Sequence, residues 1–255
     1  MRIFITGGTG FVGSLLTSQL VQQGHEVTVL TRAIRKSQGL PGSVSFVEGD
    51  SARQGNWQEK VAEHQVIINL AGASIFKRWT RNVKAAIRDS RILTTRNLVH
   101  ALSAREGKET LLLSTSAVGY YGFHEDEELD EGSPPGDGFL ASLSREWEAA
   151  AMEADKLGVR VVLCRFGIVL GKEGGALEKM VPSFRRYLGS ALGSGRQWFS
   201  WIHQQDLVNI YQFLINQEEI SGSINFAAPN PVRNRDLTRV CLLYTSDAAD
   251  DLVSV

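Results

Sequence analysis

Eight residues near the start of the chain, Thr6-Gly7-Gly8-Thr9-Gly10-Phe11-Val12-Gly13, leave few folds open. They separate the strand-like run Ile3–Thr6 from Phe11–Gln23, which reads as a helix with Phe11, Leu15, Leu16 and Leu20 on one side. A G-x-G-x-x-G pattern on a strand-turn-helix unit uses glycine for a tight turn, for close backbone approach to a pyrophosphate, and for packing the helix on the strand. First-turn N–H groups and the positive end of the helix dipole then hold the phosphates. Glycines can also serve backbone geometry alone, but this setting favours a dinucleotide. Gly7, Gly10, Phe11, Val12 and Gly13 are therefore cofactor-binding candidates.

Short apolar runs alternate with helical patterns further along. Val27–Leu30, Val44–Val47, Val66–Leu70, Leu111–Ser114 and Val159–Cys164 read as strands. Residues 81–105 and 140–157 read as helices, and Gly24 stands where the first helix would end in the left-handed conformation. This alternation predicts an α/β, Rossmann-like doubly wound parallel sheet with right-handed crossovers. Apolar residues make up 43% of the 255 and the net charge is −1, so nothing calls for a nucleic acid or an anionic membrane as partner. No window reaches membrane-spanning length and the N-terminus lacks a signal-peptide pattern. Two cysteines, Cys164 and Cys241, are too few for a disulfide framework or a zinc site, so no metal is expected. A cytoplasmic location is the expectation.

The second strand decides which dinucleotide. NAD-binding domains usually place an acid there for the ribose. Here the position is Thr31-Arg32, with Arg35 and Lys36 close behind. A guanidinium pairs with a 2′-phosphate through its planar fork. NADP is thus expected over NAD, although a surface arginine would look the same.

Longer segments carry a resemblance. NLAGASI (Asn69–Ile75), KRW and IRDSR (within Lys77–Arg91), STSAVGYYG (Ser114–Gly122), SPPGDGFL (Ser133–Leu140), RFGIVLGKEGGALEKM (Arg165–Met180), GSGRQWFSWIH (Gly193–His203) and APNPVRN (Ala228–Asn234) follow the glycine turn in order. With them the chain resembles the extended short-chain dehydrogenase/reductases, and more closely the atypical branch known as NAD(P)-dependent epimerase family proteins. The resemblance implies that Leu70, Ala71 and Gly72 border the cofactor, that Arg91 contributes to NADP binding, and that Asp50 neighbours the adenine. It also places His203 and Asp206 on the substrate side. Trp198, Phe199 and Trp201 are an aromatic wall or simply core. A small-molecule substrate is implied, and so is a homodimer through the two long helices.

The family's Ser, then Tyr-x-x-x-Lys, is only half present. Ser116 stands where the serine belongs, but Phe139–Arg145 contains neither tyrosine nor lysine at the required spacing. Tyr120 and Tyr121 are the substitutes at hand, with His203 as a further candidate and Arg145 as a source of positive charge. Two functions stay open. One is an NADP-dependent oxidoreductase or epimerase acting on a small carbonyl, alcohol or sugar-like compound; the other is a non-catalytic NADP-binding sensor or regulator. The basic cluster Lys77, Arg78, Arg81 and Lys84 suits an anionic substrate or a solvated helix start. Residues 1–240 are read as the NADP-binding domain, with a partial substrate lobe drawn from about 171–203 and 225–240. Residues 241–255 read as a non-native, adapter-derived tail.

Overall fold

The structure is a computed structural model that describes residues 1–34, 39–105, 107–172, 174–186, 189–191 and 193–250, with side chains described as far as residue 242. The chain begins β1 (Arg2–Thr6), α1 (Phe11–Gln22), β2 (Glu26–Thr31), β3 (Ser45–Glu48), α2 (Trp57–Val61), β4 (Val66–Asn69) and α3 (Arg81–Leu102). It continues with β5 (Leu111–Ala117), α4 (Phe139–Met152), β6 (Arg160–Phe166), β7 (Ile168–Leu170), α5 (Gly175–Arg185), β8 (Trp198–Phe199) and β9 (Trp201–His203). α6 (Gln204–Asn216), β10 (Gly222–Phe226), β11 (Val232–Arg233) and α7 (Asn234–Asp250) complete it.

Seven strands form one parallel sheet in the order β10-β6-β5-β4-β1-β2-β3, with β1 and β4 side by side at the point where the strand order reverses. This is the doubly wound architecture expected from the alternation. The central strands are buried on both faces, the edge strands β3 and β10 less so, and side chains alternate between two cores. Ile3 and Ile5 join Leu16, Leu20, Ile68, Leu113, Tyr211 and Phe226 on the α1/α6 side. Phe4 joins Leu30, Ile67, Leu98, Leu112 and Ala151 on the α3/α4 side. Removing each such Leu or Ile from water contributes about 1.5–3 kcal/mol, so the sheet is held from both sides.

Several boundaries differ from the sequence reading. The third strand is Ser45–Glu48, one residue later than expected, because it pairs with Thr28–Thr31. β5 runs three residues past Ser114, since Thr115, Ser116 and Ala117 pair with Cys164, Arg165 and Phe166 of β6. The two long helices stop early, at Leu102 and Met152, and each is followed by a tighter turn, Ser103–Arg105 and Asp155–Leu157. Gly24 closes α1 as expected: its φ is +82°, and the His25 and Gly24 N–H groups donate to the Leu20 and Val21 carbonyls.

Candidate functional site

In an open parallel sheet, ligands bind beyond the carboxyl ends of the strands at the switch point. That edge is where the glycine turn lies. Gly7 has φ +74°, and a Cβ there would stand 2.7 Å from the Leu70 carbonyl carbon. A Cβ on Gly13 would stand 2.2 Å from the Gly7 carbonyl oxygen. The Gly10 N–H donates to Gly7 O at 3.0 Å, and Gly10 caps α1 without a side chain. The first-turn amides of Phe11, Val12 and Gly13 consequently have no partner within the helix.

A buried polar chain fixes the neighbouring strand ends. The Thr6 hydroxyl donates to Asn69 Oδ1 at 2.8 Å, and Asn69 Nδ2 and Trp147 Nε1 each donate to Thr95 Oγ1 at 2.9 Å. Beside it, Leu70, Ala71 and Gly72 leave β4. Arg91 reaches back from α3: its Nη1 donates to the Ala73 and Ile87 carbonyls at 3.1 and 3.0 Å, and a Cβ on Gly72 would stand 3.0 Å from its Cζ. Burial pulls this guanidinium down to about 10. Among the described residues no carboxylate pairs with Arg91, which leaves a half-buried cation at the cleft.

At the end of β2, the Thr31 hydroxyl turns onto the Ala33 backbone, while Arg32 is exposed and in no ion pair among the described residues. Arg35 and Lys36 lie outside the described residues. Asp50 accepts the Ala52 N–H and faces Arg53, so the turn it forms occupies it. These features fit a dinucleotide: a cradle that any side chain would fill, unpaired helix amides, and two cations without carboxylates.

Farther along the edge, Ser116 enters a buried network. Its hydroxyl donates to Glu148 Oε1 at 2.6 Å. Arg165 grips the same carboxylate with Nε and Nη2, both at 2.8 Å, while its Nη1 donates to the Tyr121 hydroxyl at 2.9 Å. Tyr121 in turn donates to Asn225 Oδ1 at 2.8 Å. Burial works against the charge, but the bonds to Glu148 and Tyr121 outweigh it and hold the Arg165 guanidinium above its ordinary range. Tyr120 lies flat against the same guanidinium, its ring centroid 3.7 Å from Arg165 Cζ. Its hydroxyl has no partner among the described residues.

The two tyrosines thus occupy different situations, one clamped and one free. Arg165, rather than the exposed Arg145, supplies the positive charge beside them. Sequence reasoning missed both Arg165 and Glu148. The available signal was an arginine inside the apolar run VVLCRF, because a buried guanidinium requires a partner.

His203 stands apart from this network. It is exposed at the end of β9 and caps α6, its Nδ1 accepting the Gln205 N–H at 3.3 Å. That bond leaves the proton of the neutral ring on Nε2. The expected aromatic wall divides: Phe199 is core, Trp198 is exposed beneath Arg233 at 3.7 Å, and Trp201 donates to the Asn230 carbonyl. A recess of about 250 Å³ runs along α1 between Phe11, Ser14, Leu15, Ser18, Gly39 and Gln204. A second, of about 480 Å³, lies away from this edge between α3 and α4, among Arg96, Val99, Glu146 and Glu153. No helix among the described residues is long and apolar enough to cross a membrane.

Fold and cleft together describe a dinucleotide-binding domain of the extended dehydrogenase/reductase kind. The NAD dependent epimerase/dehydratase family matches residues 3–227, and the chain belongs to that family. It is 43% identical over 235 residues to an Arabidopsis thaliana protein called epimerase family protein SDR39U1 homolog, chloroplastic, covering 91% of this chain and 67% of the relative. The crystal structure of a nucleoside-diphosphate sugar epimerase from Corynebacterium glutamicum superposes with a TM-score of 0.81 at 36% identity, over 97% of this chain and 50% of the other. The human epimerase family protein SDR39U1, crystallised with NADPH, gives 0.79 at 31% identity, over 96% of this chain and 80% of the other.

Proposed function

We propose that the chain is an NADP-dependent oxidoreductase or epimerase acting on a small carbonyl, alcohol or sugar-like substrate. The observation that carries the cofactor half is the pairing of the glycine cradle with Arg32, an exposed cation in the place where an NAD-specific domain holds an acid. The NADPH in the human relative supports the same assignment. Gly7, Gly10, Phe11, Val12 and Gly13 receive the pyrophosphate, Thr31 and Arg32 the 2′-phosphate, and Leu70, Ala71 and Gly72 line the far ribose. Arg91 adds its unpaired charge to that edge.

Bound there, the nicotinamide supplies hydride transfer, and the protein has to move a proton. Tyr120 carries that proton in this reading, because its phenol is free at the strand edge while Tyr121 is clamped between Arg165 and Asn225. Ser116 commits its own proton to Glu148, so its free lone pair can accept from a hydroxyl at the alcohol level, and it would have to turn away from Glu148 to donate to a carbonyl. His203 faces the substrate side through Nε2. The dimer implied by the resemblance uses the outer faces of α3 and α4.

One observation favours the alternative, a non-catalytic NADP-binding regulator. Ser116 is 1% exposed and bonded to Glu148, as a purely structural serine would be. Turnover of NADPH against a panel of small aldehydes and ketones separates the two readings. The enzyme reading predicts a loss of about 10²-fold in Tyr120→Phe with NADPH affinity kept, and a smaller loss in Ser116→Ala. NADPH binding without turnover, or turnover untouched by both changes, supports the regulator or another acid.

A further inference from the structure

The segment between β4 and α3 carries a surface that cofactor binding does not explain. From His64 to Arg88 the sequence holds no Asp or Glu. Lys77, Arg78, Arg81 and Lys84 fall in this stretch, and among the described residues none of them is in an ion pair. They crowd the start of α3, whose first turn contains no acid, so the helix dipole adds to their charge instead of offsetting it. Four like charges at a positive helix end cost free energy that a solvated surface has no reason to accumulate.

Apolar side chains are interleaved with these cations. Ile75, Phe76 and Trp79 are 37%, 52% and 39% exposed. Their place is set by two anchors. Trp79 Nε1 donates to the Ile75 carbonyl at 2.9 Å, and its ring meets Phe139 edge-on at 5.5 Å. Phe139 opens α4, and Lys84 Nζ lies 5.2 Å from its ring centroid. At the other end of the segment, the Ala73 N–H donates to Ser90 beside Arg91. The patch therefore spans from the cofactor edge at Gly72 to the end of the β5–α4 connection that carries Tyr120.

We propose that this surface is the substrate's recognition site, and that the substrate is a small amphipathic anion: an apolar or aromatic body bearing a phosphate or carboxylate. The apolar body lies on Phe76 and Trp79, and the anionic group meets Lys77, Arg78 and Arg81. An aromatic flank selects a flat apolar body, and clustered cations select charge; neither alone accounts for the other. The inference rests on the NADP-dependent reading above and names the substrate class for that site.

Calorimetric titration of the NADP-saturated protein with naphthyl phosphate, naphthol and inorganic phosphate tests it. Naphthyl phosphate should bind at least tenfold more tightly than either fragment. A Lys77→Ser/Arg78→Ser/Arg81→Ser variant should lose that binding tenfold or more, and Trp79→Ala should lose it without altering the preference for charge. NADPH affinity, titrated separately, should be unchanged in both variants, and thermal melts confirm that they fold. Naphthol and naphthyl phosphate binding alike, or neither binding to protein that does bind NADPH, would overturn the inference. Loss of NADPH affinity in the triple variant would overturn it as well, by assigning the cations to the cofactor. Failure of the unaltered protein to bind NADPH would instead sink the reading on which it rests.

Discussion

Single residues near the site separate into those that hold the structure and those left free to act. Glu148 belongs to the first group, accepting from both Ser116 and Arg165 while only 7% exposed. Glu148→Gln leaves a buried guanidinium without its counter-charge, and urea unfolding should show a loss of about 3–5 kcal/mol. A loss under about 1 kcal/mol would show that Arg165 finds another partner. His64 offers a pH test. Burial lowers its pKa below the usual 6.5, and its neutral ring donates from Nδ1 to the Lys60 carbonyl while Nε2 accepts from Thr28. Because the unfolded ring binds a proton more readily than the folded one, stability is unaffected by this group above pH 6.5 and falls as pH drops below it. The unfolding midpoint of the parent should therefore decline between pH 7.5 and 5.5 more than that of His64→Gln; equal declines would contradict the assignment. The sequence showed Ser116 but not its partners, because Glu148 and Arg165 sit 32 and 49 positions away and meet it only through tertiary structure, Glu148 by α4 packing on the sheet and Arg165 by the β5–β6 pairing. Glu148 reads as one acid among several in SREWEAAAMEAD, and nothing local marks it.

Whole elements were legible where their hydrophobic pattern was long. The first six strands of the sheet announce themselves by apolar runs and the three helices α1, α3 and α4 by their periodic pattern, and Gly24 marks a helix end. β7, β8, β9 and β11 did not, since two or three residues are too short for any period to show. The ends of β5 and β6 were missed because pairing with each other, not side-chain alternation, extends them. Two glycines at the ends of α1 test the difference between architecture and function. Gly24 has positive φ and open space around a would-be Cβ, so Gly24→Ala should cost about 1 kcal/mol and leave NADPH affinity alone. Gly13 has ordinary φ but a Cβ would meet backbone, so Gly13→Ala should displace the phosphate turn and weaken NADPH tenfold or more. Comparable NADPH affinity in the two variants would mean that the turn's geometry does not govern binding.

At the scale of the molecule, sheet and cleft divide the labour. The parallel sheet brings the ends of β1, β2, β4 and β5 to one edge, and in the proposed function each has a different part: phosphate turn, ribose-facing cation, cofactor floor and proton site. The resemblance implied the cofactor edge, whereas the buried Ser116–Glu148–Arg165–Tyr121 network emerged only from the packing. All of these proposed roles depend on NADP entering that edge. Fluorescence titration with NADPH and NADH, on the parent and on Arg32→Glu, tests this most directly. Binding should favour NADPH in the parent by tenfold or more, and the preference should collapse in Arg32→Glu while NADH affinity holds or rises. Equal affinity for the two cofactors, or a preference for NADPH that survives the charge reversal, would contradict it.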